Sequence, residues 1–170
     1  VRNHLTIEDI DPSIAELWLD LDSWRLVSDG GHKHSGSFAY RISTPAGTLI
    51  ASGSGLVPGS LTSMQSFRTE AYGLLQATYA ATIVHSELQL LCPNNNPIPR
   101  LDFHCDNKSL IQRMSKWTHF PTFYPTIALS HDFDFTYGTI HISRQHNIHM
   151  RWHHGKGHQD KNTPGENLPL

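Results

Sequence analysis

From Trp24 onward the apolar residues fall first into short, largely alternating runs and later into longer stretches with a period of three to four. Trp24-Arg25-Leu26-Val27-Ser28-Asp29 is apolar-rich and halts at Gly30-Gly31, the pattern of a strand entering a turn. Ser37-Phe38-Ala39-Tyr40-Arg41-Ile42 alternates, with Phe38, Tyr40 and Ile42 on one face. Pro45-Ala46-Gly47 turns the chain, and Thr48-Leu49-Ile50-Ala51-Ser52-Gly53 returns, which predicts a three-strand meander. The period then lengthens. Phe67, Ala71, Leu74, Leu75 and Thr78 recur at helical spacing, with Ser63 or Ser66 available as N-cap. After the loop Pro93-Asn94-Asn95-Asn96-Pro97, Leu101, Phe103 and Cys105 alternate into a fourth strand that stops at Asp106-Asn107. A second helix follows, turning Leu110, Ile111, Met114 and Trp117 inward and Lys108, Gln112 and Lys116 outward. Residues 118–134 show no clear period, a weak helix is predicted over 135–146, and Ile148, Met150 and Trp152 alternate into a fifth strand. Gly155-Lys156-Gly157-His158-Gln159-Asp160 is expected to be a loop.

This order of elements predicts an α/β fold, a mixed five-stranded sheet built β-β-β-α-β-α-β with flanking helices. Residues 1–23, with a short helix around Ile14-Ala15-Glu16-Leu17-Trp18-Leu19, are expected to be an N-terminal extension or linker; residues 24–160 form the domain; residues 161–170 begin a further segment. Val1 and Leu170 both read as cuts in a longer polypeptide. A length of 170 residues with 38% hydrophobic content suffices for one core without cross-links. The two cysteines, Cys92 and Cys105, read as reduced thiols of an intracellular protein, cytoplasmic or nuclear. No apolar run approaches 18 residues, so no membrane association is expected. A net charge of −2, with thirteen His counted neutral, gives no strong overall basic field of the kind that announces a nucleic-acid binder.

Three carboxylates stand where strands and helices meet. Asp29 closes the first strand, Asp106 closes the fourth, and Glu70 lies in the first long helix, beside Phe67 and Leu74 at the border of its apolar face. Parallel strands joined by a crossover helix bring their carboxyl ends to one sheet edge. Carboxylates gathered there repel unless a divalent cation neutralises them, and an all-oxygen donor set suits Mg2+ or Mn2+ better than zinc. Taken singly, each has an ordinary structural reading: Asp before Gly as turn chemistry, Asp106-Asn107 as a helix cap, Glu70 as a solvated helix charge. His146, His149, His153, His154 and His158 crowd the C-terminal stretch, but without Cys neighbours or helical H-x-x-x-H spacing they read as ordinary titrating histidines.

Ser28-Asp29-Gly30-Gly31 followed by Gly36-Ser37-Phe38-Ala39-Tyr40 resembles the first-strand signature of type 1 ribonucleases H. Arg68-Thr69-Glu70-Ala71 is similar to that family's R-x-E-L/A helix motif, Cys105-Asp106-Asn107-Lys108 to its S/T-D-S/N motif, and Gly157-His158-Gln159-Asp160 to its K-G-H-x loop, in a wording close to reverse-transcriptase-associated members. The resemblance spans residues 24–160. It implies that Asp29, Glu70 and Asp106 hold divalent metal, Mg2+ with Mn2+ as substitute, and that His158 assists proton transfer and product release. It implies hydrolysis of the RNA strand of RNA/DNA hybrids within a retrotransposon-like element, with a reverse transcriptase covalently upstream. Gly30, Ser66, Arg68, Asn107 and Lys108 become candidate nucleic-acid contacts, although Arg68 and Lys108 read equally well as solvated helix charges. The family's fourth carboxylate follows the His loop on a further helix; Asp160 is too close to His158 for that role and the chain stops at Leu170, so this fragment is expected to be truncated before it. The alternative is a weak or inactive ribonuclease H-like scaffold that braces a polymerase or holds hybrid.

Overall fold

The computed structural model describes residues 4–31, 36–59 and 66–155. Three antiparallel strands, β2 (Ser23–Gly31), β3 (Ser37–Ser43) and β4 (Leu49–Leu56), form the expected meander. On the other side of β2, β5 (Arg100–Cys105) and β6 (Met150–His154) add in parallel. Among the described residues six strands are present, not five. The sixth, β1 (His4–Ile7), pairs antiparallel with β4 at the far edge, giving the order β1-β4-β3-β2-β5-β6. Four residues are too few for alternation to stand out from the sequence, so only pairing with Ala51 to Ser54 reveals this strand.

Helix α1 (Pro12–Leu19) follows β1, capped by Asp11, whose carboxylate accepts the Ile14 N–H at 3.0 Å. Ala15, Trp18 and Leu19 are buried against the long α2 (Ser66–Leu91), and the Trp24 indole N–H donates to the Trp18 carbonyl at 3.0 Å. Residues 4–22 therefore complete the same sheet and core.

The strand alternation explains the core. Trp24 and Leu26 of β2, Phe38, Tyr40 and Ile42 of β3, and Leu101, Phe103 and Cys105 of β5 all face inward and are buried. Against them lies α2, whose Ala71, Gly73, Ala77, Ala80 and Ala81 let its axis come close to the sheet. Helix α3 (Lys108–Trp117) packs beside β6, and α4 (Phe133–Gln145) packs on α2. The unassigned stretch between α3 and α4 holds a 3-10 turn, Pro125–Leu129, and is anchored by rings: Phe123 meets Trp117, Phe120, Phe133 and Tyr137 within 6.4 Å.

The outward positions of β5 and β6 carry a second pattern. His104 and His153, partners in the parallel register, stack with ring centroids 4.5 Å apart and planes 11° apart. Asp102 holds Arg100 at 3.0 and 3.1 Å, and His153 Nε2 lies 3.7 Å from it. Among the described residues the histidines form no group of three metal donors. No described helix is long and apolar enough to cross a membrane.

Candidate active site

The register of β2 against β5 decides where the carboxylates go. Val27 pairs with His104, so Asp29 and Asp106, each two residues further along, leave neighbouring parallel strands at the same edge. Alternation turns Ser28 and Cys105 into the core and leaves Asp29 exposed and Asp106 half-buried. Asp29 Oδ1 accepts the Gly30 N–H at 3.0 Å.

Glu70 reaches this edge from α2. Its approach depends on Gly30: a Cβ built there would lie 2.3 Å from Thr69 Oγ1 and 2.7 Å from Thr69 Cβ, so only glycine lets the helix start so close to the end of β2. One turn on, Gly73 seats against Ser28 and Phe38. On a helical wheel Glu70 sits at the edge of the apolar face; in the fold it is 2% exposed. Burial pushes its carboxyl up to about 8, and Asp106 and Asp29 nearby add to the rise. Glu70 Oε2 accepts a hydrogen bond from the Cys105 thiol at 3.0 Å, and the same sulfur accepts the Asn107 N–H at 3.2 Å. Donor atoms of Glu70, Cys105 and Asp106 lie within 4.8 Å of one another.

The remaining expected site residues divide. Ser66 opens α2 and is exposed, and Lys108 is exposed at the start of α3. Asn107 caps α3, accepting the Leu110 N–H at 3.0 Å. Arg68 is engaged elsewhere: Nε and Nη2 donate to the Pro58 carbonyl at 2.9 and 2.6 Å, Nη1 donates to Asp132 at 2.6 Å, and the guanidinium lies 4.5 Å from the Phe135 ring centre. His158 and Asp160 lie outside the described residues. The strand leading toward them ends at the site, where the Gly155 N–H donates to the Cys105 carbonyl at 2.9 Å and His154 Nε2 lies 3.1 Å from the Asp106 carbonyl. The sequence reading does not single out Cys105 or His154. The available signal for Cys105 was parity: an inward strand position immediately before Asp106.

The donor chemistry fits a hard divalent cation. Among the described residues no Lys, Arg or His forms an ion pair with Glu70. Glu70 and Asp106 offer carboxylate oxygens, the donors such a cation prefers, and the Cys105 thiol, pushed up by burial, donates a hydrogen bond to Glu70.

No family model matches the chain, and no curated protein matches it. Solved structures do. LC11-RNase H1 in complex with RNA/DNA hybrid superposes with a TM-score of 0.55 at 13% identity, covering 82% of this chain and 88% of that one. A second structure of LC11-RNase H1, isolated from compost by a metagenomic approach, gives 0.56 at 12% identity, covering 84% and 90%. RNase H1 from the halophilic archaeon Halobacterium salinarum NRC-1 gives 0.53 at 10% identity, covering 81% and 89%. At these TM-scores and coverages the chain has the fold of RNase H1.

Proposed function

We propose that this chain is an endonuclease that hydrolyses the RNA strand of RNA/DNA hybrids with divalent metal, as part of a reverse-transcribing element. The observation that carries this reading is the buried Glu70 carboxylate brought from α2 to the strand ends that bear Asp29 and Asp106. The substrate class is supported by the hybrid seen in the complex of LC11-RNase H1. The upstream reverse transcriptase is supported by the wording of Gly157-His158-Gln159-Asp160, and an intracellular location by the reduced cysteines.

In this reading Asp29, Glu70 and Asp106 hold Mg2+, with Mn2+ as its substitute. When bound, the metal supplies Lewis-acid activation of water and stabilises charge on the departing 3′ oxygen. The chain's own part is preorganisation. Asp29 and Asp106 are fixed by strand register, and Glu70 is fixed by burial and by the Cys105 thiol. His158 carries a proton at the product side. Gly30, Ser66, Asn107 and Lys108 border the carboxylates and contact the hybrid, sensing the ribose 2′-hydroxyl in its minor groove. Arg68 acts there only indirectly, by pinning the start of α2 to Asp132. Residues 24–160 are the unit that carries the chemistry, with β1 and α1 completing its sheet and core.

The test is cleavage of an end-labelled hybrid in Mg2+, in Mn2+ and in EDTA, beside duplex RNA, duplex DNA and Asp29→Asn. Metal-dependent cutting of the hybrid's RNA strand alone, lost in the variant, is expected. Hybrid binding of equal strength in Mg2+ and EDTA, with no cutting, would replace the nuclease by a hybrid-holding scaffold.

A further inference from the structure

Resting on the metal-centre reading above, we infer that Cys105 is a positioning residue whose sulfur sets the separation of the Glu70 and Asp106 carboxylates. The thiol is 3% exposed, at the inward end of β5. Its sulfur makes two directed contacts: it donates to Glu70 Oε2 at 3.0 Å and accepts the Asn107 N–H at 3.2 Å. Asp106 lies between the two residues that this second bond joins. The contact from Asn107 back to Cys105 therefore shapes the turn that aims Asp106, while the contact to Glu70 selects the rotamer of a side chain arriving from α2. One atom thus couples two carboxylates that the backbone brings from separate elements.

The need for such a tie follows from the surroundings. Glu70 has no ion pair among the described residues, and a buried carboxylate without directed donors is free to rotate away from its acidic neighbours. A donor on one oxygen, Oε2, opposes that rotation and leaves the other available toward Asp106. A thiol is a weak donor, yet at 3.0 Å from Oε2 it supplies a hydrogen bond from a small side chain that itself carries no carboxylate. Groups that hold ligands of a metal in this way change its affinity by about 10–100-fold when removed.

The experiment is calorimetric titration of Mn2+ into the 170-residue chain and its Cys105→Ala, Cys105→Val, Cys105→Ser and Cys105→Thr variants, with a thermal melt of each. Ala and Val err in opposite directions on volume, so a loss shared by both tracks the missing donor rather than packing. Mn2+ affinity is expected to fall about 10-fold or more in both. In Ser and Thr, which keep a donor, it is expected to stay within about threefold of the parent, whatever the order of melting temperatures. The hybrid-cleavage midpoint in Mn2+ shifts in parallel. Unchanged affinity in both Ala and Val overturns the inference. So does a loss in all four that follows only their melting temperatures. Glu70→Gln run beside them separates the two levels: if it weakens Mn2+ binding while Ala and Val do not, only the role of Cys105 falls. If Glu70→Gln binds like the parent, the metal centre falls and the role of Cys105 with it.

Discussion

Gly30 and Thr69 touch so closely that a single methyl group would not fit between them. Gly30→Ala would place that methyl 2.3 Å from Thr69 Oγ1, and the neighbouring Thr69 Cβ and backbone leave no rotamer that clears it. The start of α2 must then move off the end of β2. Overpacking of this kind costs about 1–3 kcal/mol. Melting temperature is expected to drop by several degrees and Mn2+ affinity to fall, since Glu70 follows Thr69. A variant that melts and binds metal like the parent would show that the contact does not set the helix position.

Glu70 makes stability depend on pH in an unusual direction. Its carboxyl rises from an ordinary 4.5 to about 8 on folding, chiefly through burial. The folded chain then holds the proton more tightly than the unfolded one. This contribution is complete below about 4.5 and is lost as pH rises through 8, on the order of a few kcal/mol in all. Urea unfolding in EDTA at pH 5, 6.5 and 8 is expected to show the parent weakening relative to Glu70→Gln as pH rises. Divalent cation should oppose the trend by replacing the proton. Parallel curves for the two proteins in EDTA would rule it out.

His104 titrates in the opposite sense. Burial lowers it to about 4, helped by the stacked His153 and by Arg25 and opposed by Asp102. Because the unfolded chain takes the proton first, the stability attached to neutral His104 is present above pH 6.5 and lost as pH falls through 4. Its partial exposure limits the effect to about 1–2 kcal/mol. His104→Gln is expected to flatten the acid limb of the unfolding curve between pH 6.5 and 4 while leaving pH 8 little changed. An acid limb as steep as the parent's would assign the loss to other groups.

Arg68 is expected to behave as a structural residue. Arg68→Ala takes from Asp132, whose side chain is 13% exposed, its 2.6 Å partner, leaving it the His131 contact at 3.3 Å, and removes two donors from the Pro58 carbonyl. A cost of about 2–3 kcal/mol is expected. The salt dependence of hybrid binding should stay the same, whereas loss of a phosphate contact would lower the slope by about one. Measuring affinity across several salt concentrations separates these outcomes.

The legible parts of the fold were those with a period. Inward alternation along β2, β3 and β5, and the apolar rows of α2 and α3, could be read directly, and with them the strand ends that carry Asp29 and Asp106. β1 was hidden because its partner β4 lies more than forty residues away and its own four residues show no rhythm. The engagement of Arg68 was hidden for the same reason: Asp132 is 64 positions distant. Glu70 was placed at the edge of the apolar face, but how deeply it sinks depends on the closeness of α2 to the sheet, set by Gly30 and Gly73. Cys105 looked like one more core residue because its chemistry appears only once Glu70 arrives above it.

The parallel alignment of β5 on β2 answers to two independent readers. Shifting β5 by one residue would expose Leu101, Phe103 and Cys105 and bury Asp102 and His104, a penalty the core enforces. The same shift would carry Asp106 out of step with Asp29 and take the sulfur away from Glu70. Correct assembly of the sheet and correct assembly of the carboxylates are therefore a single event. A molecule that has paired these two strands one residue out of step keeps neither the buried row nor the gathered carboxylates.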